Sequence, residues 1–251
     1  MIKKLGDTIP KPLGMIVCQV VLIAVSTLTT FFPISVNVPI NVVLPLIVLL
    51  NIRAEFFEKL KLSTLVIGKL IVASTVLGFL QGDWCVQIVF WLLRINILEA
   101  ALTDFKKKNY LNGITGLVLI AASFQLTGVW VEKYYITTNH AMILWIIAYT
   151  IWNWNFVLHE FSSSISVYHI LVLLTPLIFI ILAREPGFWL IVRASSLSIA
   201  GVIQISGKKY IEEYLYFTGF AQKISTLKSL PVQSIVMTIN IGLIILIEFI
   251  P

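Results

Sequence analysis

The chain has 251 residues, of which 59% are the apolar types AVILMFWYC and only 12% are charged, against roughly half and about a quarter in soluble domains. Eighteen Lys and Arg outnumber twelve Asp and Glu, for a net charge of +6. This balance excludes a soluble globular domain. Apolar windows of about 20 residues, enough to cross ~30 Å of hydrocarbon, recur along the chain and predict an all-α polytopic helix bundle in a membrane.

In chain order, membrane spans are expected near 13–32, 35–52, 62–80, 84–103, 112–130, 140–160, 167–184, 187–206 and 231–250, about nine in all, with eight as the alternative count. Pro33, "QGD" at 81–83 and "REPG" at 184–187 mark joints between them. The second span holds Pro39, Asn41 and Pro45. It is expected to be kinked or partly re-entrant, because proline removes a backbone bond that hydrocarbon cannot replace. The first apolar run leads straight into the next, unlike a cleaved export signal. No repeat, low-complexity tract or second domain interrupts the chain, so residues 1–251 form a single transmembrane domain. Segments near 53–61 ("RAEFFEKLK") and 208–229 mix basic, acidic and aromatic residues, which suits either interfacial helices on lipid headgroups or solvated connectors. Cys18 and Cys85 fall at opposite ends of their helices and make neither a disulfide framework nor a metal spacing.

Basic residues test the span map independently of hydropathy. With a cytoplasmic N-terminus, thirteen fall inside: Lys3, Lys4, Lys11, Arg53, Lys59, Lys61, Lys106, Lys107, Lys108, Lys208, Lys209, Lys223 and Lys228. Two, Lys133 and Arg184, fall outside. This asymmetry is that of a multi-pass protein of the cytoplasmic membrane and accounts for most of the net charge, leaving no motive for a nucleic-acid partner. Membrane lipids are the expected surroundings, and nothing in the sequence reports on oligomeric state.

The three remaining cations, Lys69, Arg94 and Arg193, lie within spans. Lys69 is about seven residues and Arg193 about six from a span end, within snorkelling reach. Arg94 has about ten residues on either side, roughly 15 Å of hydrocarbon. A lone Arg at that depth costs at least about 2.5–3.5 kcal/mol, so it is expected to face protein or water with a partner. Glu99 lies on the same helix but about 140° away, with Asn96 on its face. In the sixth span Trp152, Asn155 and His159 form one stripe and Tyr149 and Asn153 another, and His169 opens the seventh span at a similar depth. These side chains line an enclosed polar zone, or else serve as interhelical glue and interface belts.

Catalytic signatures are scarce. "HEFSSSISVYH" lacks the HExxH spacing, His140 maps to the opposite end from His159 and His169, and no P-loop or GxSxG occurs. "SSLS" at 195–198 reads as small residues permitting close helix packing. No metal and no cofactor is expected.

"NILEAALTDF" at 96–105, "NGITG" at 112–116, "AYTIWNWNFV" at 148–157, His169 and "WLIVRA" at 189–194 together resemble a family of uncharacterised bacterial multi-spanning membrane proteins. The resemblance covers residues 90–200, with nothing recognisable before or after. It implies no reaction, only that Asn96, Glu99, Asp104, Asn112, Trp152, Asn153, His169 and Arg193 occupy characteristic positions.

The expected function is transporter-like: a cytoplasm-facing polar cavity among spans four, six, seven and eight, binding a small or amphiphilic anionic ligand. Arg94 would supply charge, Glu99 would balance it, Tyr149, Asn153 and Asn155 would orient the ligand, and Asn96, Trp152, His159, His169 and Arg193 would complete the site. The alternatives are an integral-membrane enzyme acting on lipid through Glu99, His159 or His169, and a non-catalytic membrane subunit.

Overall fold

A computed structural model of the chain describes residues 11–51, 56–82, 84–131, 134–137, 142–247 and 249. Lys3, Lys4, Arg53, Asp83, Lys133 and His140, each used in the sequence reading, lie outside these residues. The described fold is all-α apart from one hairpin. Its helices are α1 (Lys11–Phe31), α2 (Leu44–Asn51), α3 (Phe56–Val76), α4 (Trp84–Lys106), α5 (Tyr110–Ala122), α6 (Met142–Glu160), α7 (Ser163–Ala183), α8 (Trp189–Tyr214), α9 (Thr218–Leu227) and α10 (Leu230–Ile247).

Each expected span corresponds to one of these helices, but only five of them, α1, α4, α7, the helix through α8 and α10, are long and apolar enough to cross a membrane. Nine crossings therefore do not follow from length and composition. The reasons are local. α3 carries Glu58, Lys59, Lys61 and Lys69, and α6 carries Asn153, Asn155 and His159. α2 is preceded by a π-helical turn at Pro39–Val43, in which the Leu44 amide donates to the Pro39 carbonyl, and the run Pro39–Asn51 stays short. The distortion lies where Pro39 and Pro45 perturb the backbone ladder.

The expected span 112–130 is corrected. α5 ends at Ala122 in a short 3-10 turn, Ser123–Gln125, and the chain then forms β1 (Gly128–Val131), antiparallel to β2 (Tyr134–Thr137) with Gly128 opposite Thr137. "GVWV" and "YYIT" are β-branched and aromatic, and a short apolar run of this kind cannot be told from helix by periodicity. The segment 53–61 is not a separate element where described, since residues 56–61 are the start of α3. At the other expected interfacial segment, α8 runs on to Tyr214 but breaks helical geometry at Gly207, one residue past the expected end of the span, and α9 follows with no buried residue.

α7 packs along α8, with α1 laid across both, while α10 packs against α6 and α5, and α4 joins α3 to α5. The main core gathers Trp145, Tyr149, Trp152 and Trp189 with Phe90, Leu93 and Ile97. These tryptophans are fully buried, so they are core and not an interface belt. Gly116 permits the close approach of α4, α5 and α6: a Cβ there would lie 3.0 Å from both Ala101 Cβ and the Trp152 ring. α1 and α10 meanwhile expose Ile16, Val20, Ile235 and Ile239, an apolar exterior compatible with a membrane protein.

Candidate functional site

The ends of α3, α4, α6, α7 and α8 meet at one end of the bundle around a cavity of about 320 Å³. Basic residues gather there. Lys61, Lys107 and Lys208 line the cavity, facing Glu58, Glu99, Glu160 and Glu212. Lys107 pairs with Glu160 at 2.7 Å, and Lys61 approaches Glu99 at 3.9 Å. Nearby, outside the apolar helices, the Lys228 ammonium is pushed below the ordinary lysine range, first by burial and second by Lys107. Leu62, Phe156, Phe161, Ile165 and Leu197 supply an apolar wall. His169 stacks on Phe161, ring centroids 4.8 Å apart, and its Nε2 lies 2.6 Å from Gln204 Oε1.

A smaller cavity of about 40 Å³ lies further along the same groove between α3, α4 and α8. Leu65 borders both cavities. Spacing explains the alignment: Lys61, Leu65 and Lys69 recur every four residues on α3, as do Arg193 and Leu197 on α8, so each helix presents one face to the whole groove. Lys69, Arg193 and Asn96 line the deeper cavity. Asn96 Oδ1 accepts from Thr64 Oγ1 at 2.8 Å.

The ten residues expected to form one site are distributed over four places. Glu99 and His169 line the large cavity, and Asn96 and Arg193 the small one. Tyr149 lies beneath Arg193, whose guanidinium carbon is 4.4 Å from the ring centroid, and Asn153 Nδ2 donates to the Tyr149 hydroxyl at 2.6 Å. Asn155 belongs to a buried relay instead. Asn109 and Asn112 donate to the two carboxylate oxygens of Asp104 at 2.8 and 2.6 Å, Asn155 Nδ2 donates to Asn112 Oδ1 at 2.9 Å, and Gln233 Nε2 donates to Asn155 Oδ1 at 2.7 Å. Trp152 Nε1 donates to the Asn112 carbonyl at 2.9 Å, and His159 Nδ1 lies 2.9 Å from the Asn155 carbonyl one turn back. This relay ties α4, α5, α6 and α10 together, the work expected of interhelical glue.

Arg94 is buried, 4% exposed, but lines neither cavity. Its Nε donates to Ser123 Oγ at 2.9 Å and its Nη2 to the Ser123 carbonyl at 3.1 Å, and the guanidinium lies 3.9 Å from the Phe124 ring centroid. It caps the carbonyl end of α5, where a cation offsets the helix dipole and occupies an orphan acceptor. Its expected association with Glu99 is replaced by these contacts, and Glu99 takes Lys61.

Sequence reasoning missed Lys61, Glu160 and Gln204 as cavity residues. Lys61 counted only as an inside cation of the segment 53–61, Glu160 only as part of "HEFSSSISVYH" at the end of the span 140–160, and Gln204 is a lone amide in an apolar run.

Among the described residues, an all-α bundle with five helices long and apolar enough to cross a membrane is compatible with a membrane protein. The chain belongs to the family of unknown function DUF5692, whose profile matches residues 106–249. The match takes in "NGITG", "AYTIWNWNFV", His169 and "WLIVRA" and continues well past residue 200, where the sequence alone had nothing recognisable, while "NILEAALTDF" precedes it. No curated protein and no solved structure matches the chain.

Proposed function

We propose that this chain is a multi-pass protein of the cytoplasmic membrane, N-terminus inside, whose nine membrane-embedded helices hold an inward-open, transporter-like cavity for a small amphiphilic ligand. The observation that carries the reading is the convergence of Glu99, Lys61, Glu160, His169 and Gln204 from different helices on one cavity of about 320 Å³ with an apolar wall. Its volume lies within the range of small-molecule sites, about 300–1,000 Å³. Three lysines and four glutamates give the mouth mixed charge, so it accommodates a headgroup of either sign. The orientation rests on the basic residues: Lys61, Lys107 and Lys208 line this cavity, and a basic end is expected on the cytoplasmic side.

The lipid-enzyme alternative draws on Glu99 and His169 sharing the cavity. Among the described residues, however, His169 Nε2 meets Gln204 and Glu99 pairs with Lys61, so no carboxylate–imidazole pair is assembled.

Native mass spectrometry of protein extracted in mild detergent tests the reading. Wild type is expected to carry a small-molecule adduct, and Gly201→Phe to lose it by filling the cavity that Gly201 lines. A wild type without an adduct, or an adduct that persists in Gly201→Phe, counts against a ligand cavity.

A further inference from the structure

The deeper cavity contains two buried cations and no carboxylate. Lys69 is 2% and Arg193 5% exposed. Lys69 Nζ donates to the Ile191 carbonyl at 3.1 Å and to Ser195 Oγ at 2.5 Å, which occupies two of its three N–H groups. Arg193 is less satisfied. Its Nε is fully buried without a hydrogen-bond partner, and among the described residues neither a carboxylate nor another acceptor reaches its guanidinium. Its remaining contacts are the faces of Tyr149 at 4.4 Å and Trp189 at 5.7 Å. Ring faces attract a cation but accept no planar pair of N–H bonds, so they leave the fork of the guanidinium open. Burying two cations around one cavity without a carboxylate is expensive unless a counter-charge joins them.

We infer that the small cavity between α3, α4 and α8 is an anion site, in which Lys69 and Arg193 together bind a planar group of carboxylate size. The volume of about 40 Å³ limits the occupant to a small oxyanion, such as formate or nitrate, or to the carboxylate of a longer ligand whose body lies in the larger cavity beyond Leu65. The guanidinium fork selects planar oxygen pairs, and the Lys69 ammonium adds charge without direction. Asn96, on the same wall, completes the polar lining. The second source of the carboxylate rests on the proposed ligand cavity, whereas the anion site itself does not.

Thermal unfolding of the full-length protein in detergent, followed by tryptophan fluorescence at constant ionic strength, tests the inference. Formate and nitrate are expected to raise the midpoint saturably, by several degrees over methanesulfonate, whose tetrahedral sulfonate is not a planar oxygen pair, because an occupant that binds only the folded state stabilises it by mass action. Arg193→Gln and Lys69→Gln should lose most of this rise, Arg193→Lys should retain part of it, and Lys223→Gln, exposed on α9 and lining neither cavity, should retain it all. If a Gln variant fails to fold, the wild-type titration still decides. Equal midpoints in formate, nitrate and methanesulfonate, or a rise unchanged in Arg193→Gln, overturn the site. A rise with formate together with no adduct in the mass-spectrometric experiment keeps the anion site and removes the ligand cavity. An adduct without an anion effect does the reverse.

Discussion

Asn155 on α6 and Gln233 on α10 exchange side-chain amide hydrogen bonds: Gln233 Nε2 donates to Asn155 Oδ1 at 2.7 Å, and Asn155 Nδ2 donates in return to Gln233 Oε1. Because each amide satisfies the other within an apolar bundle, Asn155→Leu and Gln233→Leu should each lower stability by about 1 kcal/mol, and the double substitution by less than their sum. A double-mutant cycle on unfolding midpoints checks this. Strict additivity would remove the pair as a link between α6 and α10.

A second cycle separates Arg94 from Glu99. Arg94 bonds to Ser123 at the end of α5, and Glu99 pairs with Lys61 on α3. Ser123→Ala should cost about 1–3 kcal/mol by removing a buried acceptor and should couple to Arg94→Gln. Arg94→Gln with Glu99→Gln should add within about 0.5 kcal/mol. Strong coupling between Arg94 and Glu99 would contradict the capping role.

Close packing at Gly116 predicts a third effect. Its notional Cβ already sits 3.0 Å from Ala101 and Trp152, both on helices of the main core. Gly116→Val should therefore destabilise by about 1–3 kcal/mol through overpacking, with Gly242→Ala, which meets nothing within 4 Å, as the neutral reference. Equal midpoints for the two variants would show that α4, α5 and α6 separate at little cost.

Helix positions were legible in the sequence because apolar length and breakers report them directly. The clearest case is Gly207, where α8 loses helical geometry beside the expected end of its span. The hairpin was not legible, since "GVWV" extends an apolar run and only tertiary context separates strand from helix there. The site was partly legible. The depth argument singled out Arg94 correctly as buried, but depth does not identify a partner: Ser123 lies 29 residues from Arg94, and Gln233 lies 78 from Asn155. Snorkelling was an adequate account of Lys69 and Arg193 from sequence alone. Their convergence on one cavity depends on the packing of α3 against α8, which no local pattern encodes.

Membrane orientation has its own test. Lys223 on α9 and Arg184 after α7 are both exposed and lie at opposite ends of α8 in the chain. In a background lacking Cys18 and Cys85, Arg184→Cys should react with an impermeant thiol reagent in intact cells, and Lys223→Cys should be protected. The opposite pattern would invert the topology.

The central claim is that the cavity among α3, α4, α6, α7 and α8 opens to the cytoplasm, and its most direct test is the accessibility of Gly201→Cys. Gly201 lines the large cavity, and a Cβ there meets only Leu62 Cδ1, at an ordinary 3.5 Å. In the same cysteine-free background the account predicts rapid modification by an impermeant thiol reagent in inside-out vesicles and protection in right-side-out vesicles. Protection in both, or reaction only from the outer face, would contradict it.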